Sequence, residues 1–174
     1  MNCQQGNYFV LILFFIFPLA LVGQNDTYLK HFLTVDDGLS QNEVTGILKD
    51  SRGFMWFATR GGLNRYDGYE FVQYKSRADK ENYLSNPDIE CIYEDDDGNF
   101  WIGTKSGGLN FYDYSQEQFS QITHFGKNNQ TITSKQIISI NQSQDGNILV
   151  GTWSDGLYIL DFNNDTLIHP VINT

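Results

Sequence analysis

The apolar positions of this chain fall into short runs, each closed by a glycine or a polar turn. "EVTGILKD" is an apolar run that ends in polar residues. "GFMWFAT" and "NFWIGT" are rich in aromatics and begin at or just after a glycine, "GLNRYD" and "GLNFYD" follow a second glycine, and "EFVQY" or "EQFSQI" closes the series. These lengths and compositions predict β-strands, and no segment beyond the first apolar stretch shows a helical period. In "GFMWFAT" a period of two puts Phe54 and Trp56 on one face and Met55 and Phe57 on the other, so both faces are apolar. A sheet of that kind must be covered on both sides, whereas a half-exposed sheet alternates apolar with polar.

The runs repeat. Gly53, Gly98 and Gly146 lie 45 and 48 residues apart, Leu63, Leu109 and Leu157 lie 46 and 48 apart, and Asp67, Asp113 and Asp161 follow the same spacing. Ile47, Ile92 and Ile140 stand six residues before each turn glycine, and Val44, Ile89 and Ile137 three residues earlier. Four strands in a unit of about 45 residues describe one blade of a β-propeller. The reading is therefore all-β: three four-stranded antiparallel repeats forming an incomplete propeller. Its parts are a signal peptide or N-terminal anchor over 1–23, a lead-in with a ring-closing strand over 24–38, and repeats over 39–80, 81–127 and 128–174. The ring-closing strand is expected at residues 28–34. The third repeat departs from the others, with Leu149 where they have Trp56 and Trp101.

Composition narrows the class. At 40% hydrophobic and 18% charged residues the 174-residue chain can bury a core, and its net charge of −10 argues against nucleic acid or an anionic lipid surface as a main partner. The apolar run "YFVLILFFIFPLALVG", residues 8–23, is short for a membrane span and has the length of an export signal, with Gly23 near a cleavage point; no Lys or Arg precedes it. Cys3 would leave with that segment, so Cys91 would stand alone in the mature chain as an inert core thiol without a disulfide.

Two stretches look like chemistry and read better as turns. "DDDG", residues 95–98, invites a calcium-loop reading, but Tyr93 and Thr104 occupy that loop's first and last ligand positions, and the equivalent "DSRG" and "SQDG" keep the glycine while losing most of the acids. Gly98 is expected to supply a positive φ. "GTKSGGLN" lacks the Lys-Ser/Thr ending of a phosphate loop and precedes a strand, not a helix. No metal and no cofactor are expected. His31, His124 and His169 are isolated, and no catalytic arrangement of Ser, His and Asp, or of Cys and His, is evident.

The segment "LSQNEVTGILKDSRGFMWFATRGGLNRYDGYEF", residues 39–71, resembles the two-component regulator propeller repeat over its full length, and the resemblance extends over residues 29–170. It implies the periplasmic sensor region of a hybrid two-component histidine kinase of the Bacteroidetes type, which detects glycan breakdown products and controls polysaccharide-utilisation genes. Such sensors carry many repeats, a membrane helix and a kinase. With three repeats here, the expectation is an N-terminal fragment or truncated product whose partners are the remaining blades and the kinase region; a homodimer stays open.

Running each unit from its inner to its outer strand puts two loop sets on one face. The first spans residues 36–42, 82–87 and 130–134, and the second holds Arg60, Lys105 and residues 153–155. Arg60, Lys105 and Trp153 each follow an equivalent threonine (Thr59, Thr104, Thr152) and differ from one another, which suits ligand binding: Trp153 could stack on a sugar ring, and the cations could bind its hydroxyl or carboxylate groups. An oligosaccharide is thus the expected ligand. Trp56, Trp101, Phe57 and Tyr66 are expected in the packing. Competing readings are an exported propeller glycosidase, which would need two carboxylates converging on the substrate, and a kelch-like interaction scaffold.

Overall fold

The computed structural model describes residues 32–77 and 82–169. The export segment at residues 1–23 and residues 28–31 of the expected ring-closing strand lie outside the described residues. The described end of that segment corrects the expectation: residues 32–34 are in no strand, and a 3-10 turn, Val35–Asp37, follows directly. The reason is local. The Thr34 hydroxyl accepts from the Asp36 N–H while the Asp37 carboxylate accepts from the Thr34 N–H at 2.8 Å, a reciprocal cap that turns the chain here.

Three four-stranded antiparallel meanders follow. The first runs β1 (Val44–Lys49), β2 (Met55–Thr59), β3 (Gly62–Tyr66) and β4 (Phe71–Tyr74); the second runs β5 (Ile89–Glu94), β6 (Phe100–Thr104), β7 (Leu109–Asp113) and β8 (Gln118–Ile122). A small ribbon of β9 (His124–Phe125) and β10 (Gln130–Thr131), which the sequence pattern does not announce, leads to the third sheet. That sheet is β11 (Ile137–Gln142), β12 (Ile148–Thr152), β13 (Leu157–Asp161) and β14 (Thr166–Ile168). In every sheet the strands pair in sequence order, and the first strands of neighbouring sheets lie against each other. This is the arrangement of propeller blades with β1, β5 and β11 innermost.

Side-chain alternation explains the stacking. From β2, Trp56 and Ala58 project toward the second sheet, where Phe100, Ile102, Tyr112 and Phe119 meet them in one apolar core. On the far face of the second sheet Trp101 and Leu109 meet Ile137, Ile148, Val150 and Leu160 of the third. The second sheet is thus buried on both faces, and all five residues of β6 are buried. At Gly103 the backbone of β11 comes so near that a Cβ would sit 2.9 Å from the Ile137 carbonyl and 2.5 Å from Cys91 Sγ. Burial pushes the half-buried Cys91 thiol up to about 12, so it stays protonated. On the face of the first sheet turned from the second, Phe57, Tyr66 and Phe71 pack on one another and Ile47 is 63% exposed.

The acids at the turns act as hydrogen-bond acceptors. Asp50 Oδ1 takes the N–H groups of Arg52 and Phe54, and its Oδ2 takes the Trp56 indole N–H at 2.8 Å. Asp95 does the same for Asp97, Asn99 and Trp101. The third repeat loses both partners together: Ser143 stands at the acid's place, its hydroxyl accepting the Asn147 N–H, and Leu149 replaces the tryptophan. Gly98 has φ +78°, the left-handed turn conformation expected of it. Each first strand also carries a register shift at the same position, passing over Thr45, Glu90 and Ile138.

A second set of acids closes the turn between third and fourth strands. Asp67 accepts from Tyr69 and Glu70, Asp113 from Ser115 and Gln116, and Asp161 from Asn164. Hydrogen bonds hold all three carboxyls below the usual carboxylate range: from backbone N–H groups first for Asp67, and from the side chains of Ser115 and Asn164 first for Asp113 and Asp161.

Two outcomes follow from these acceptors. Asp50→Ala leaves the buried Trp56 indole N–H unpaired and should lower stability in urea denaturation by about 2–3 kcal/mol, whereas Ser143→Ala, with one N–H at stake, should cost about 1 kcal/mol or less; equal losses would contradict the account. A carboxyl whose folded value lies below its unfolded one adds stability above about pH 4. That stability is lost as pH falls through the folded value. The melting temperature should therefore drop on acidification below about pH 4, and the triple variant Asp67→Asn, Asp113→Asn, Asp161→Asn should flatten that drop.

Candidate functional site

The two predicted loop sets meet in the structure, and side-chain amides hold them together. In the first repeat the Ser40 N–H donates to Asn64 Oδ1 and Asn64 Nδ2 donates to Ser40 Oγ, both at 2.8 Å, while the Ser40 and Thr59 hydroxyls lie 2.8 Å apart. In the second repeat Ser85 and Asn110 form the same pair at 2.9 and 2.8 Å. Tyr158 replaces the asparagine in the third, and its hydroxyl pairs with Thr133 at 2.9 Å. Asn64 and Asn110 are fully buried on the middle of their sheets. They tie the loop entering the first strand to the sheet itself, so this face is rigid before any ligand arrives.

The equivalent threonines serve the second loop set. Thr59, Thr104 and Thr152 donate to the carbonyls of Gly62, Gly108 and Gly156 at 2.8, 2.9 and 2.8 Å, and accept the N–H groups of Gly61, Gly107 and Asp155. Each threonine closes the turn between second and third strands, and the following residue is left to point outward.

That following residue is Arg60, Lys105 or Trp153, and the three meet different fates. Arg60 Nε donates to Glu43 at 2.6 Å and Nη1 to Asp88 at 2.6 Å, with Glu90 at 3.7 Å. Hydrogen bonds to Glu43 and then Asp88 hold the guanidinium fully charged. Lys105 Nζ lies 3.6 Å from Asp88. Asp88 therefore joins Arg60 of the first sheet to Lys105 of the second. Trp153 is 72% exposed, and its backbone N–H donates to the Gln136 carbonyl at 3.2 Å. No hydrogen bond or ion pair among the described residues links it to the two cations.

The residue just before each first strand explains the divergence. Glu43, Asp88 and Gln136 stand there, so the cations meet carboxylates, whereas at Trp153 the partner position is a neutral glutamine, met through its backbone carbonyl. The pairs are legible in the sequence only when the residue before each first strand is set beside the residue after each threonine, Glu43 with Arg60 and Asp88 with Lys105. With Glu43, Asp88 and Glu90 all drawn to Arg60 or Lys105, the face can present an aromatic surface and already compensated charge. Among the described residues no group of acids, histidines or cysteines could hold a metal ion.

Comparison with known proteins fits this geometry. Residues 38–61 and 83–106 match the family model described as "Two component regulator propeller". The matched spans run from the loop before β1 or β5 through the turn after β2 or β6. Histidine kinase P4 of Formosa agariphila is 36% identical over 77 residues, which is 44% of this chain and 6% of that protein. The crystal structure of the extracellular domain assigned to the hybrid two component system BT3049 of B. thetaiotaomicron superposes with a TM-score of 0.71 at 29% identity, covering 80% of this chain and 20% of that one. The extracellular domain of BT4673 from the same organism superposes at 0.57 with 25% identity, again over 20% of its length. The chain thus spans a small part of each relative. Repeat sequence, sheet order and these likenesses agree: the chain carries two-component regulator propeller repeats over residues 38–61 and 83–106.

Proposed function

We propose that this chain is part of the extracytoplasmic ligand-sensing propeller of a hybrid two-component histidine kinase, exported to the periplasm, and that its ligand is an oligosaccharide whose detection controls polysaccharide-utilisation genes. The observation that carries the reading is the likeness, at 29% identity over 80% of the chain, to the extracellular domain of a hybrid two-component system. The kinase relative supports a kinase region as the partner that receives the signal.

The chain acts here as a binding module and not as an enzyme. Glycoside hydrolysis needs two carboxylates that converge on a substrate, and on this face Glu43 and Asp88 are held by Arg60 and Lys105. Trp153 is the foremost contact: an exposed indole next to the buried Thr152 stacks on a pyranose ring at little entropic cost. Arg60 and Lys105 contribute hydrogen bonds from nitrogens not already spent on Glu43 and Asp88. Because buried asparagines fix the first two entering loops, ligand binding there moves whole blades relative to their neighbours more readily than it reshapes a loop.

The complete extracellular region of the sensor, titrated calorimetrically with the oligosaccharide that a glycan array selects, should lose about tenfold or more in affinity in the triple variant Arg60→Ala, Lys105→Ala, Trp153→Ala. Trp153→Ala alone should carry most of that loss. Unchanged affinity in the triple variant would remove these residues from the site.

A further inference from the structure

The cations predicted to meet a ligand are already neutralised, and the cations that are not lie elsewhere. Arg52, Arg60 and Lys105 each lie within 4 Å of a carboxylate. Arg77 and Lys135 have no ion pair among the described residues; Arg77 rests over the Tyr83 ring at 5.3 Å. Both line one cleft of about 670 Å³ between the second and third sheets. That size falls within the roughly 300–1,000 Å³ of small-molecule sites.

The walls of this cleft are the predicted loops. Residues 82–85 enter β5, residues 106–108 join β6 to β7, and residues 132–135 enter β11, while the open edge strand β8 supplies the remaining side. Its position is fixed by the network already described, since Ser85 is bound to Asn110 and Gly107, and the Gly108 N–H donates to the Lys135 carbonyl at 2.8 Å. The floor is apolar, with Leu84 and Phe119 buried, and the sides are hydroxyls and amides such as Ser120, Gln121 and Thr133.

Charge decides what fits. Acids outnumber bases 21 to 11 in the chain, yet no Asp or Glu is among the described lining residues, while two cations are. A concave, hydroxyl-lined site whose charged lining residues, among those described, are both cations selects a polyhydroxylated anion. Arg77 offers a fork for a carboxylate or sulfate, Lys135 a second point charge, and Tyr83, 38% exposed, an edge for stacking. We infer that the cleft between the second and third sheets binds an anionic oligosaccharide, with Arg77 and Lys135 pairing its acidic groups. The inference rests on the reading of this chain as a saccharide receptor and places a site apart from the Trp153 position.

The test titrates the full chain with three trisaccharides of similar size: trigalacturonate, a sulfated galactotriose and neutral galactotriose. At least one acidic trimer should bind tenfold or more tightly than the neutral one, and which of the two binds names the acidic group. The double variant Arg77→Gln, Lys135→Gln should abolish that tenfold preference without changing the melting temperature, and Lys49→Gln should leave it intact. Equal binding of the neutral trimer, or a double variant that keeps the preference, would overturn the site. If affinity were lost instead in Trp153→Ala, the cleft would fall and the receptor reading would stand. Binding of none of the three would count against both.

Discussion

A β-sheet whose two faces are both apolar has no stable place at a surface, and the second sheet of this protein is such a sheet. Phe100 and Ile102 project one way from β6 and Trp101 the other, and all are buried because a sister sheet lies on each side. Burying a large apolar side chain contributes about 1.5–3 kcal/mol, so each sheet depends on its neighbour for most of what holds it folded. Small residues where the first strands approach, Ala58 and Gly103, let the sheets come close enough for that burial.

On this frame the polar residues do different work at the two ends of each sheet. At one end Asp50 and Asp95 gather two turn N–H groups and an indole N–H, joining a turn to the core behind it. At the other, Asn64 and Asn110 reach from the third strand to the serine of the incoming loop. The third repeat has lost the first device, with Ser143 and Leu149 in place of acid and tryptophan, and rebuilds the second with the Tyr158 hydroxyl paired to Thr133 at the serine's place. Acid and tryptophan are lost together because an acceptor without its donor, or a donor without its acceptor, would be buried at a cost.

This division has a functional consequence. A loop face pinned from beneath can vary its outward residues without disturbing the sheets, which is how a propeller accommodates a binding surface. In this chain part of that variation is absorbed internally: Arg60 and Lys105 vary in step with Glu43 and Asp88 and bind successive sheets to one another through Asp88. The exposed indole of Trp153 and the two cations of the cleft take no part in these pairs.

Much of the fold could be read from the chain because it is set by local chemistry and repetition. The turn glycines, the strand compositions, the two-sided apolar pattern of "GFMWFAT" and the aberrant Leu149 are all properties of short segments, and the 45-to-48-residue spacing gives the stacking. The candidate site was readable only in outline. Its loops were foreseen, but Arg60 finds Glu43 and Asp88 across 17 and 28 residues, and Arg77 and Lys135 reach one cleft from different repeats. The described end of the expected closing strand, residues 32–34, is in no strand and leads into a capped turn, and β9 and β10 arose without a strand-like pattern. Short segments carry their own conformational preference, whereas which charge meets which depends on how the sheets are rotated and spaced when they pack, and that is decided only in three dimensions.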